Sequence, residues 1–123
     1  SLLEKAVLLY RGDFLESDVY EEWVEARRNE LRSLHYKCIE TLGDLHRQTH
    51  QYNQAVAHYQ KLLAVPEPLE QVFPKLASCL QALGDRQAIR KEYELLKTRL
   101  QESLGSDPKP ATQALVDSIF TAN

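Results

Sequence analysis

His46 and His50 stand four residues apart, the spacing at which two imidazoles on one helical face could share a metal ion. Zinc would need a third ligand, and a metalloprotease would need Glu directly after the first His, where this chain has Arg47. Asp44 does not readily close such a site, and neither Cys38 nor Cys79 has a near partner in sequence. The two imidazoles are therefore read as helix-surface residues, and no metal or cofactor is expected. Nucleophilic and acid–base chemistry fare no better. There is no Gly-rich phosphate loop and no Gly-x-Ser-x-Gly elbow, and the carboxylates are scattered on polar helix faces. An enzyme is not expected.

Two further groups could bind rather than react. Trp23, one turn before Arg27, reads either as a core anchor or as an exposed docking residue, and Tyr10, Phe14 and Tyr20 nearby favour the core. Residues 13 to 25 carry Asp13, Glu16, Asp18, Glu21, Glu22 and Glu25 with no base. Some of these carboxylates suit a helix N-terminus, where each gains about 0.3–1 kcal/mol from the backbone dipole. The rest could form an acidic ridge that keeps the chain off DNA or meets a basic partner. Arg11-Gly12-Asp13 is read as a turn.

The whole chain has 123 residues, 43% of them hydrophobic, with 15 Lys+Arg against 18 Asp+Glu, a net charge of −3. That composition fits one globular domain of residues 1–123 and disfavours a general grip on phosphate backbones. With no apolar run long enough to span a bilayer, no basic-then-apolar leader and only two cysteines, a cytoplasmic protein with reduced thiols is expected. The absence of methionine and the start at Ser1 point to a domain excised from a longer protein.

Apolar residues recur at three and four, as in Leu31, Leu34, Cys38, Leu42 and Leu45, which is helical spacing; the expected class is all-α. A short first helix is expected over about 2 to 10, after which Phe14 and Leu15 return to the core. A long helix is then expected from near Val19, capped by Ser17 or Asp18 with Glu21 three residues on, to about His50. Breaks at Tyr52-Asn53, Pro66-Glu67-Pro68, Gly84-Asp85 and Gly105 to Pro110 bound helices at about 53–64, 69–83, 86–104 and 110–121. Links this short make consecutive helices antiparallel.

Sliding the chain against itself by 34 residues aligns Ile39 with Phe73, Leu42 with Leu76, Gly43 with Ala77, and Leu45 with Cys79. It also aligns Ala55 with Ile89, Tyr59 with Tyr93 and Leu62 with Leu96. That is the tetratricopeptide period, a helix–turn–helix unit whose small residues let two helices approach closely. Units are expected at about 36–69 and 70–103, with 1–35 and 104–123 as caps. In such a stack the first helix of each pair lines the concave face. Lys37, Glu40, Asp44, Arg47 and Gln48 from one unit, and Gln71, Ser78 and Gln81 from the next, are the candidate partner-binding residues. A polar face of this kind suits a peptide or partner helix, or is merely solvated.

The run Tyr10 to Glu16, Trp23 with Glu25, Arg27 and Leu31, and Ala55 follow a recognisable order. So do the turn from Pro66 to Leu69 with Glu70, the segment Leu83-Gly84-Asp85-Arg86, and Tyr93. Leu104-Gly105, leading through Asp107-Pro108 to Pro110 and Ala114-Leu115, completes it. Over about residues 2 to 120 the chain resembles the bacterial transcriptional activator domain of regulators of the Streptomyces antibiotic regulatory protein type. The resemblance implies a tetratricopeptide-like module that follows a winged-helix DNA-binding domain and works by protein contact. Its implied partners are its own DNA-binding domain, RNA polymerase or another protein, with a homodimer also open and no direct binding of nucleic acid or membrane. A free-standing tetratricopeptide adaptor or ligand sensor unrelated to transcription is the alternative. Pro74 departs from the family, whose helix is uninterrupted there, so this helix is expected to begin near Val72 or Phe73 or to kink.

Overall fold

From Val19 to His50 the sequence holds no proline and a single glycine, Gly43, so nothing breaks the helical hydrogen-bond ladder. In the computed structural model, which describes residues 2–4 and 17–121, that stretch is one helix, α1 (Ser17–Gln48). Asp18 lies in its first turn rather than capping it. Residues 2–4 are helical. The rest of the expected first helix, the Arg11-Gly12-Asp13 turn, the return of Phe14 and Leu15, and the acids Asp13 and Glu16 lie outside the described residues.

Four more helices follow: α2 (Tyr52–Leu63), α3 (Phe73–Ala82), α4 (Arg86–Leu104) and α5 (Pro110–Thr121). Among the described residues there is no strand. The architecture is an all-α, tetratricopeptide-like stack of helices. The chain divides into two compact units, Ser1–Lys37 and Cys38–Asn123.

In the first unit every described side chain from Asp18 to Lys37 is exposed or half-buried. Trp23 accordingly is half-buried, its ring 6.4 Å from that of Tyr20, and does not join the buried core that its size predicts.

The core belongs to the second unit. On α2 the buried residues Ala55, Tyr59, Leu62 and Leu63 fall at intervals of four, three and one, a single helical face. That face packs on α3, which buries Phe73, Leu76, Ala77, Cys79 and Leu80; α3 in turn packs on α4, and α5 touches both α3 and α4. The Phe73 and Tyr93 rings meet at 6.0 Å and 60°, a tilted pair of the favoured kind. Pro74 does not kink its helix. A 3₁₀ turn, Glu70–Val72, precedes α3, and Pro74 falls in the helix's first turn, where no amide hydrogen bond is lost.

Helix ends in this unit are closed by distant side chains. Glu70 Oε2 accepts from the Lys109 amide and from Thr112 Oγ1, both at 2.7 Å, and so holds the N-terminus of α5 against the turn before α3. Arg99 donates to the Leu63 carbonyl at 3.2 Å at the end of α2, and Arg86 donates to the Ile119 carbonyl at 2.8 Å at the end of α5. Both place a cation where the helix dipole is negative. Locally, Asp85 caps α4 by accepting from the Ala88 amide, and Gly105 ends it at φ +61°, a left-handed conformation that costs glycine nothing.

The spacing that marks α1 as a helix does not mark its buried face. Leu31, Leu34, Leu42 and Leu45 do share a helical spacing, but they are 51%, 58%, 46% and 52% exposed, and Cys38 is exposed as well. Within the second unit α1 packs through other residues: buried Gly43 and half-buried Ile39, Glu40, Asp44 and Arg47. At the 34-residue offset, Leu42 and Leu45 are therefore exposed where Leu76 and Cys79 are buried.

Candidate interaction surface

Glu40, Asp44 and Arg47 recur at four and three, so α1 must present them on one face. The side chain that gathers them, Lys75, comes from the first turn of α3. Its Nζ lies 2.8 Å from Glu40 Oε2 and 3.1 and 3.0 Å from the two oxygens of Asp44. The Tyr59 hydroxyl, brought in by α2, donates to Asp44 Oδ1 at 2.5 Å, and Arg47 approaches the same oxygen at 3.7 Å. Two acids and two bases thus neutralise one another in a half-buried clasp joining three helices. Arg47 Nε is buried there and, among the described residues, has no hydrogen-bond partner.

The electrostatics follow from this geometry. Burial acts to raise the Asp44 carboxyl, but hydrogen bonds from Tyr59 and Lys75 and the charges of Lys75 and Arg47 outweigh it, and its pKa falls below the ordinary value. Burial disfavours the Lys75 ammonium, yet the bonds to Glu40 and Asp44 prevail and its pKa rises. Burial pushes the Cys79 thiol up. Both cysteines are free.

Asp44 contributes stability above its unfolded pKa that is lost as pH falls through its depressed folded value. Lys75 contributes stability below its unfolded pKa that is lost as pH rises through its elevated one. Lys75→Met keeps the length of the side chain but removes the ammonium that Glu40 and Asp44 share, leaving Asp44 only the 3.7 Å approach of Arg47. It is expected to lower stability by about 1–3 kcal/mol at neutral pH. The loss should shrink on acidification, as pH falls through the depressed folded pKa of Asp44. Equal losses at pH 7 and pH 3, measured by urea denaturation, would remove the clasp from the account.

Of the other predicted residues, Gln71, Ser78 and Gln81 are exposed on the 3₁₀ turn and α3, and Gln48 is exposed at the end of α1. Lys37 is exposed and lies in the first unit. The structure thus draws Glu40, Asp44 and Arg47 into an internal network and leaves the three residues around α3 presented to solvent. The sequence reading missed Lys75. One signal was available: a lysine in a helix's first turn opposes the dipole and calls for acids from elsewhere.

The imidazole pair is also rearranged. His46 stacks on His58 of α2, with centroids 5.2 Å apart and planes 13° apart, while its Nδ1 is 2.7 Å from Gln51 Oε1. His50 instead pairs with the Tyr52 hydroxyl at 2.8 Å. Burial, then the neighbouring His46 and Lys61, depresses the pKa of His58. Among the described residues no three His, Cys, Asp or Glu side chains converge as a metal site, and no helix is long and apolar enough to cross a membrane. The acids Asp18, Glu21, Glu22 and Glu25 of the first unit are exposed, with Glu25 3.9 Å from Arg28.

No curated protein and no solved structure matches the chain. A family model does, and over residues 1–120, which include the helices, the Pro66–Leu69 turn with its capping Glu70, and the Gly105 helix stop. The chain belongs to the bacterial transcriptional activator domain family.

Proposed function

We propose that this member of a transcription-activator family is a non-enzymatic protein–protein interaction module, linked in its parent regulator to a winged-helix DNA-binding domain. It acts by non-covalent contact with that domain, with RNA polymerase or with another protein, and does not itself bind nucleic acid. The repeat units 36–69 and 70–103, with 1–35 and 104–123 as caps, belong to the same proposal.

The observation that carries it is the division of labour around α3. One side of that helix is spent on the core through Phe73, Leu76, Ala77 and Leu80, while Gln71, Ser78 and Gln81 stand exposed, uncharged and rich in hydrogen-bond donors and acceptors. Such a row reads a partner's backbone and polar side chains without a desolvated charge. The clasp of Glu40, Asp44, Arg47 and Lys75 lends this row a fixed mount, because Lys75, in the same helix, is tied to Glu40 and Asp44 of α1.

The test is the triple variant Gln71→Lys, Ser78→Lys, Gln81→Lys in the intact regulator. All three positions are exposed, so thermal unfolding should change little, by about 0.5 kcal/mol per site or less. Transcription from a reporter promoter is expected to fall severely while DNA binding by the regulator persists. Full activation by a folded triple variant would refute the assignment of this row. Arg47 is unsuitable for such a test, since reversing its charge would set a second acid beside Asp44.

A further inference from the structure

A second surface, built on different helices from that row, lies where α4 meets the end of α5. Gln87, Arg90, Lys91, Glu94 and Phe120 line an open pocket of about 450 Å³. The Arg90 guanidinium lies over the Phe120 ring, 4.1 Å from its centroid, and that of Arg86 lies 5.1 Å from the same ring. The Arg86 bond to the Ile119 carbonyl fixes the ring in place. The two arginines are then not equivalent. Arg86 is committed to holding α5, whereas Arg90 is exposed and, among the described residues, makes no hydrogen bond or ion pair. Stacking on an aromatic face uses the π surface of a guanidinium and leaves its N–H edge free. A planar edge held in one orientation, with the exposed Lys91 ammonium beside it, matches a carboxylate bidentately.

We propose that this pocket binds an acidic protein segment, a partner peptide or helix that offers a Glu or Asp side chain to Arg90 and Lys91 and an adjacent apolar side chain to Phe120. A nucleic acid fits less well. Glu94 stands in the same pocket with, among the described residues, no cation paired to it, and the chain as a whole is net negative. A continuous line of phosphates would meet that carboxylate, whereas a discrete acidic side chain avoids it.

The probe is a short fluorescein-labelled peptide of glutamate and leucine at helical spacing, titrated into the full chain at low and at physiological salt. Saturable, salt-weakened binding is expected, with shifts in the amide resonances of Arg90, Lys91 and Phe120. Arg90→Ala should weaken it about tenfold, the range of a charge-assisted bond. Arg90→Lys keeps the charge but loses the fork and the stack, and should remain several-fold weaker than the native chain. Phe120→Leu should follow it. Unchanged melting curves show that each variant is folded. The proposal is overturned by the absence of saturable binding, by native affinity in Arg90→Lys, or by a DNA duplex that binds the same residues more tightly than the peptide.

Discussion

Truncating Tyr59 to alanine is expected to lower the stability of the chain by about 3–5 kcal/mol, the range for loss of a large aromatic side chain from a packed core. The residue is fully buried on α2, where its ring lies against Gly43 of α1. Its hydroxyl reaches through the core to Asp44, so one side chain supplies both apolar area and the hydrogen bond that helps hold Asp44 ionised. Tyr59→Phe separates the two contributions. It keeps the ring and deletes only the donor, so a loss of about 1–2 kcal/mol is expected. Burial, then the bond to Asp44, raises the Tyr59 hydroxyl pKa. A group whose folded pKa lies above its unfolded one contributes stability that is complete at neutral pH and fades as pH climbs past the unfolded value. Native protein should therefore weaken above about pH 10, and Tyr59→Phe should lack that part of the decline. Urea denaturation at pH 7 and pH 10.5 checks both statements. A Tyr59→Ala loss below about 1 kcal/mol would show that the ring is not the anchor.

The helix boundaries were legible because strong punctuation marks them. Asp85 and Gly105 bracket α4 at the expected residues, and the expected start at Pro110 is where α5 begins. Pro74 announced a late α3, and the 3₁₀ turn ahead of it supplies the reason. Periodicity was a poorer guide to which face is covered. Leu31, Leu34, Leu42 and Leu45 satisfy the helical pattern as well as any core stripe does, but a pattern states only that apolar residues share a face, not that a neighbour lies over it. On α1 the neighbour sits instead over Gly43, a position whose value is its lack of a side chain, so hydropathy gives it no weight. The clasp was half legible for a similar reason. Glu40, Asp44 and Arg47 stand in register on one helix, whereas Lys75 is 35 and 31 residues from its two acids, and His58 lies twelve residues from the His46 it stacks upon. Pairings at that range are fixed by how helices pack, which spacing within one helix does not encode.

The contact of Gly43 with Tyr59 makes a sharper demand. A Cβ built on Gly43 would lie 2.7 Å from Tyr59 Cε1, 3.0 Å from Cζ and 3.1 Å from Cδ1, closer than carbon atoms tolerate. An exposed helical glycine usually gains about 1 kcal/mol on replacement by alanine, because alanine is the better helix former. Here that gain competes with overpacking, which costs about 1–3 kcal/mol, and the ring has little room to yield since it is buried and tied by its hydroxyl to Asp44. Gly43→Ala is therefore expected to destabilise by about 1–2 kcal/mol and Gly43→Val by about 3 kcal/mol. A double-mutant cycle isolates the cause. In a Tyr59→Ala background the obstructing ring is gone, so Gly43→Ala should change sign and stabilise by about 0.5–1 kcal/mol, a coupling of about 1.5–3 kcal/mol between the two sites. Additive effects within about 0.3 kcal/mol would mean that helix propensity or the unfolded chain, rather than the approach of α2 to α1, decides what residue 43 can be.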